Sequence, residues 1–325
     1  MPETNQLSRE VINEILDEYT NWLSYVNIVG IDVGQVHGDK IDGPTVYLLV
    51  DALKPSSLAN ANSNKTDQGY FEIPATVSVS AALVDRVPAL RAGEIPVKVY
   101  FVEEIIEDEL LDAEDERVAP AVAMVRPCPG GYFIRTEGLS GRGSLGTSIE
   151  FRGKFRMLSN NHVISKNGSV GKWAHQPAVV NGTNRLAKVT GFEQITYYAT
   201  KNPSNPNRNR LDIAWCDSDP TITSQEVREI GGVAGMRDPV VGERIRMFGA
   251  RTGSKIEANI ASVTYRYRSK GSLGYSFWEN GIRLEQGNLT QSGDSGSAYV
   301  AVSDSNLVAL HRAGSEQRTV GCPLT

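Results

Sequence analysis

The sequence holds little cysteine, three residues in 325. Cys128, Cys216 and Cys322 lie far apart, form no CxxC pair and match no zinc-ligand spacing. That excludes a disulfide-stapled scaffold and argues for a reducing compartment. Long apolar runs are also missing. No window approaches the roughly 18 apolar residues that a spanning helix needs, so no membrane partner is expected. Met1 to Glu10 is polar and acidic, with no basic start leading into an apolar stretch, so no secretory leader is expected and the default address is cytoplasmic. A basic surplus is absent too. Lys and Arg total 33 against 38 Asp and Glu, for a net charge of −5. A dedicated nucleic-acid binder carries a basic stripe, so nucleic acid is not an expected partner. The negative excess is local: Glu103, Glu104, Glu107, Asp108, Glu109, Asp112, Glu114, Asp115 and Glu116 follow one another without an intervening base.

What is present falls into two textures. Residues 7–24 carry Leu7, Val11, Ile12, Ile15, Leu16, Tyr19, Trp22 and Leu23 at helical spacing, with Ser8 as N-cap and Glu10 in the first turn. Val26–Val33, Thr45–Val50, Ala75–Ala81 and Pro96–Val102 are rich in β-branched and apolar residues and read as strands. Lys54–Gly69 is polar and reads as a loop. These segments predict a small N-terminal α+β domain over 1–103. The acidic run over 104–119 reads as a solvated linker. From about residue 120, short strands alternate with Gly, Asn and Pro turns, and helical windows are few. Such a pattern predicts an all-β barrel or sandwich over 120–325.

Three segments of this second part carry chemistry. Leu158-Ser159-Asn160-Asn161-His162-Val163 ends a strand with a histidine. Leu211-Asp212-Ile213-Ala214-Trp215 sets one carboxylate in an apolar strand, where an unpaired charge would be costly. Gln291-Ser292-Gly293-Asp294-Ser295-Gly296-Ser297 sets a serine between glycines just before a strand. A serine hydroxyl is a weak nucleophile near neutral pH and needs a base beside it. His162 has the right intrinsic basicity to take that proton. Asp212 would hold the imidazole tautomer and stabilise the imidazolium. The glycines allow a turn tight enough for the N–H groups of Gly293 and Ser295 to converge on one developing oxyanion.

The His, Asp, Ser order and the Gly293-Asp294-Ser295-Gly296 run resemble the trypsin-like (chymotrypsin-fold) serine peptidases. Asn161-His162-Val163 resembles their bacterial form. Arg126-Pro127-Cys128-Pro129-Gly130-Gly131, Gly143-Ser144-Leu145-Gly146 and the Ser-Asn-Asn-His run are similar to a bacterial stand-alone group related to the plant narrow-leaf protein. This resemblance covers about residues 122–325. It implies two perpendicular six-stranded β-barrels, over about 120–225 and 226–325, with the site in the cleft between them. It further implies a serine endopeptidase acting on polypeptide substrates through an acyl-enzyme, with catalytic His162, Asp212 and Ser295 and an oxyanion hole from Gly293 and Ser295. The strand Val308–Ala313 would pair with substrate backbone, bringing Leu310, His311, Arg312 and Ala313 to the substrate, with Leu289, Thr290 and Ser292 beside it. Leu289 would sit at the base of the specificity pocket and favour an apolar side chain. His311 falls where a small hydroxyl residue commonly supports the aspartate. The family commonly continues into a terminal helix, whereas this chain ends at Thr325 soon after the last strand.

No metal or organic cofactor is expected. Gly141-Arg-Gly-Ser-Leu-Gly146 fits a dinucleotide fingerprint, but the following residues read as strand rather than helix, so a turn is expected there. Ile28-Val-Gly-Ile reads as an ordinary strand, and Asp294 has no evident free amine to pair with. His37 and His175 have no ligand partners at metal spacing. An alternative reading is a peptide-binding module with latent or vestigial hydrolysis, regulated by the N-terminal domain. The sequence leaves the oligomeric state unknown.

Overall fold

The computed structural model describes residues 7–25, 27–36, 45–53, 73–87, 90, 93–107, 124–178 and 182–325, and they are mostly β. Near the start, helix α1 spans Arg9–Tyr19, and Ser8 Oγ accepts the Val11 N–H at 3.3 Å as its cap. Ile15 and Leu16 on one face are buried, and a 3-10 turn over Thr20–Ser24 adds buried Trp22 and Leu23. Strands β1 (Ile28–Val36) and β2 (Thr45–Leu53) pair antiparallel. β3 (Thr76–Ser78) borders β4 (Glu94–Val102), which runs parallel to β2. A short helix α2 (Ala81–Arg86), which the strand-like patterning of 75–81 does not announce, lies between β3 and β4. The loop expected over 54–69 lies outside the described residues.

A fifth strand of this region, β5 (Ile105–Glu107), falls where a solvated acidic linker is expected. That expectation is corrected for these residues: Ile105 and Glu107 are buried and Ile106 is exposed, the alternation of a strand with one face in a core. Residues 108–119 of the expected linker lie outside the described residues.

Residues 124–232 contribute β6 (Cys128–Gly130), β7 (Phe133–Thr136), β8 (Gly143–Ser144), β9 (Thr147–Phe151), β10 (Lys154–Ser159), β11 (Trp173–His175), β12 (Arg185–Phe192), β13 (Arg208–Asn209), β14 (Ala214–Asp217), β15 (Thr223–Val227) and β16 (Gly231–Gly232). Seven of them form one sheet in the order β8-β7-β11-β12-β14-β10-β9, closed over a core that includes Ile134, Met157, Val163 and Val189. Its pairing does not return on itself among the described residues, so the first of the two expected barrels is an open sheet here. A strand, β9, follows Gly146 rather than a helix, as the turn reading of that glycine run requires.

The C-terminal part holds β17 (Arg244–Phe248), β18 (Lys255–Gly271), β19 (Gly274–Leu284), β20 (Ala298–Ala301), β21 (Leu307–Gly314) and β22 (Thr319–Cys322). Here the pairings β17–β18–β19–β22–β21–β20–β17 close a six-stranded ring.

Strand β18 decides how the N-terminal segment sits. Its first residues pair with β17, and its far end runs on past the ring. That extension carries β1, with Gly30 opposite Tyr267, and β5, with Ile105 opposite Ser269. Gly30 is needed for this approach, because a Cβ there would fall 2.1 Å from Tyr265 Oη. Phe277 of β19 enters the same core as Ile15, Leu16 and Leu48. Buried Arg268 donates to the carbonyls of Leu23 (3.2 Å) and Tyr25 (3.0 Å). The N-terminal strands therefore continue the sheet of the C-terminal ring, and burial of shared apolar surface holds them there. Among the described residues no helix is long and apolar enough to cross a membrane.

Candidate active site

Register brings the first two candidate residues together. Ser159, the last residue of β10, pairs with Ala214, the first of β14. His162 lies three residues beyond one partner and Asp212 two residues before the other, so both side chains meet at the same end of the sheet. A one-turn helix α3 (Asn161–Ile164) carries His162. Its entry is fixed by side-chain amides: Asn160 Nδ2 donates to Asp212 O (2.7 Å), and Asn161 Nδ2 donates to Glu193 O (2.7 Å). Asp212 Oδ2 lies 2.5 Å from His162 Nδ1, and Asp212 Oδ1 accepts the His162 backbone N–H at 3.2 Å. Such contacts assign the proton on His162 to Nδ1 and leave Nε2 as the free base. His162 Nε2 is buried and has no hydrogen-bond partner among the described residues.

Ser295 stands in the turn before β20. Gly293 and Gly296 on either side adopt φ of +108° and +95°, which only glycine enters cheaply. Asp294 is buried and accepts backbone N–H groups from Arg251 (2.8 Å), Thr252 (3.0 Å) and Gln291 (2.9 Å). Those amides take the place of a free amine and pin the turn to the 249–252 segment. Gly143 of β8 wedges between the two halves of the site. A Cβ there would lie 2.8 Å from Ser295 O and 2.8 Å from Val163 Cγ1, beside His162.

Ser295 Oγ donates to the carbonyl of Arg312 at 2.7 Å rather than to His162. Ser295 and Asp212 have no solvent exposure, and His162 has 2%. The arrangement is thus an assembled His–Asp pair with the serine hydroxyl turned to the neighbouring strand, in a closed site.

Arg312 is the residue that the sequence reading undervalued. It is expected beside substrate, with His311 next to the aspartate. The structure reverses the second expectation: His311 Nδ1 lies 2.9 Å from Tyr299 Oη on the far side of β21, and Arg312 Nε lies 3.0 Å from Asp212 Oδ2. Strand alternation explains the exchange, since neighbouring side chains point to opposite faces. Arg312 is fully buried. Its Nη2 pairs with Glu107 of β5, its Nη1 donates to Ser269 Oγ (2.9 Å), and its guanidinium lies 3.7 Å from the Trp278 ring centroid. A buried chain of charges, Glu107–Arg312–Asp212–His162, runs from the N-terminal segment to the imidazole. The one clue to Glu107 in the sequence is its place after Ile105 and Ile106, an apolar pair inside an acidic run.

The other expected substrate residues divide. Leu310 is in the core with Ile149, Leu158 and Trp215, and Ala313 is in the core with Val29 and Trp278. Leu289 is half-buried against the cluster of Ile245, Met247 and Ile260, Thr290 is half-buried, and Ser292 is exposed.

The electrostatics follow from burial and pairing. Burial opposes the imidazolium of His162, but the adjacent Asp212 outweighs it and His162 titrates above its ordinary value; Glu107 adds to the rise and Arg312 opposes it. Burial likewise opposes the charge of Asp212, and His162 and Arg312 outweigh it, so that carboxyl titrates below the usual range. Burial pushes the Cys322 thiol up to about 12, and Asp212 adds to that rise. Among the described residues no group of His, Cys, Asp and Glu could hold a metal ion.

No protein-family model matches the chain, and no curated protein does. Among solved structures the chain is similar to Thermobifida fusca Protease A (19% identity, 60% of this chain and 90% of that one, TM-score 0.40). It is similar to a Cellulomonas bogoriensis chymotrypsin (19% identity, 60% and 90%, TM-score 0.40) and to a Nocardiopsis protease (17% identity, 60% and 91%, TM-score 0.39).

Proposed function

We propose that the chain is a serine endopeptidase of the trypsin-like type, with polypeptides as substrates. The observation that carries this is the buried His162–Asp212 pair, with the imidazole Nε2 unpartnered among the described residues and Ser295 on the adjoining glycine-flanked turn. In this reading the Ser295 hydroxyl rotates from Arg312 O to His162 Nε2 and gives up its proton there. The oxygen then attacks the scissile carbonyl. The carbonyl oxygen becomes an oxyanion, which the N–H groups of Gly293 and Ser295 stabilise. His162 returns the proton to the leaving amine, and the C–N bond breaks to leave an acyl-enzyme on Ser295. Water attacks the ester by the same route, with His162 again as base, and releases the acid. Asp212 holds the tautomer, and Arg312 fixes Asp212. The steps use no metal or organic cofactor. Substrate would add as a strand to the edge of β21.

A second reading, a peptide-binding module with latent hydrolysis, draws on one observation: Ser295 Oγ is bonded to a main-chain carbonyl in a closed site.

A fluorophosphonate probe tests the first reading. Prolonged exposure of the folded chain should label Ser295 and no other residue by peptide mapping. Ser295→Ala should lose about six orders of magnitude of peptide turnover, as in other triads. Labelling elsewhere, or residual turnover in Ser295→Ala equal to that of the parent, would refute it.

A further inference from the structure

The edge of β21 beside the nucleophile is already filled. β22 takes one side of β21 from Leu310 to Gly314, with Leu310 opposite Cys322 and Gly314 opposite Thr319. β20 takes the other side, but its pairing stops at Leu310, and the last bonds of that ladder run between His311 and the Ser295 turn, through Gly296 N and Ser297 O. Past that point the same side of β21 runs by Ser295, whose hydroxyl rests on Arg312 O. Ala313 and Gly314 are therefore the next positions at which an extended peptide could add. Glu107 pairs with Ala313 and Ile106 with Gly314, antiparallel.

Building on the peptidase reading above, we propose that β5 is a tethered occupant of the substrate edge, which keeps the site closed until β5 leaves. Three features hold it. Its outer side pairs with β18, at Ile105–Ser269 and Ile106–Lys270, so both edges of the strand are bonded. Glu107 pairs with buried Arg312, and a Cβ at Gly271 would fall 1.9 Å from Glu107 Oε2, so glycine there makes room for this carboxylate. Ile105 is fully buried in the core with Val102, Tyr267 and Trp278. The tether makes the occupancy intramolecular, so a free peptide competes only at about millimolar concentration. Departure of β5 takes one carboxylate from Arg312 and leaves that cation with Asp212. An incoming strand that brings an acid to the place of Glu107 restores the balance.

Ile106→Pro is the direct test. Ile106 is 40% exposed, so its side chain is not part of the core, while proline in a strand bonded on both sides removes a ladder donor. Fluorophosphonate labelling of Ser295 should be faster in this variant by about tenfold or more. A synthetic peptide of residues 103–109 (Glu-Glu-Ile-Ile-Glu-Asp-Glu), at about millimolar concentration, should return it toward the parent rate. On the parent chain, urea below the unfolding transition should raise labelling and hydrogen exchange of the 105–107 amides in parallel. Labelling of the parent as fast as the variant, or labelling that does not track exchange of those amides, overturns the occupant and leaves the peptidase reading standing. Failure of every form to label at Ser295 overturns both.

Discussion

Replacing Glu107 with glutamine tests the buried charge chain on which both the site and its closure rest. The side chain keeps its size and one acceptor oxygen, but Arg312 loses one of the two carboxylates around it. Charges about 4 Å apart attract by about 4 kcal/mol at an effective dielectric of about 20. Removing one partner of a fully buried pair costs about 3–5 kcal/mol by comparison with other proteins, so the two estimates agree. Unfolding entropy of about 2 cal/mol/K per residue makes about 0.7 kcal/mol/K for a chain of this length, so Glu107→Gln should melt about 6 °C lower. Arg312→Met should cost at least as much, since it strands Glu107 and weakens the support of Asp212. Glu107→Gln combined with Arg312→Met should cost far less than the sum of the two, because the double variant buries neither a guanidinium short of one carboxylate nor a stranded Glu107 carboxylate. Calorimetry on the four proteins gives the coupling energy. Additivity within about 0.5 kcal/mol would show that the pair does not act as a unit and would refute the reasoning.

Two further outcomes follow from the same geometry. Catalysis needs neutral His162, and its pKa is raised, so peptide turnover should be absent in acid and rise with pH through a midpoint above the ordinary value of about 6.5. Glu107→Gln removes an anion that contributes to the rise and should shift that limb toward acid; a kcat/KM profile with its limb below 6.5 in the parent would contradict the assignment. Gly249→Ala would place a Cβ 2.2 Å from Asp294 Oδ1 and push on the carboxylate that anchors the Ser295 turn. Displacement of a nucleophile by about 1 Å can cost about 10²-fold in rate, so kcat should fall on that scale; an unchanged kcat would remove Asp294 from the positioning of Ser295.

Local chemistry was legible in the chain itself. Ser8 announces the cap of α1, and the helical spacing of Ile15 and Leu16 announces its buried face. β-branched runs announce β1, β2 and β4, because such residues fit a pleated surface. Gly293 and Gly296 announce a turn with positive φ, and the His162, Asp212 and Ser295 segments announce groups suited to one reaction. Such signals depend on neighbours within a few residues, so a linear reading can find them.

Tertiary structure alone decided the rest. The faces of β21 were settled by its pairing, which sent His311 to Tyr299 and Arg312 to Asp212. The extension of β18 past the ring turned an expected separate N-terminal unit into part of the same sheet. Glu107 met Arg312 across 205 positions of sequence. A carboxylate in an acidic run is written as solvated by its neighbours in sequence. It is buried here because strand pairing removes Ile105 and Glu107 from water together, and a cation lies where the pairing delivers it.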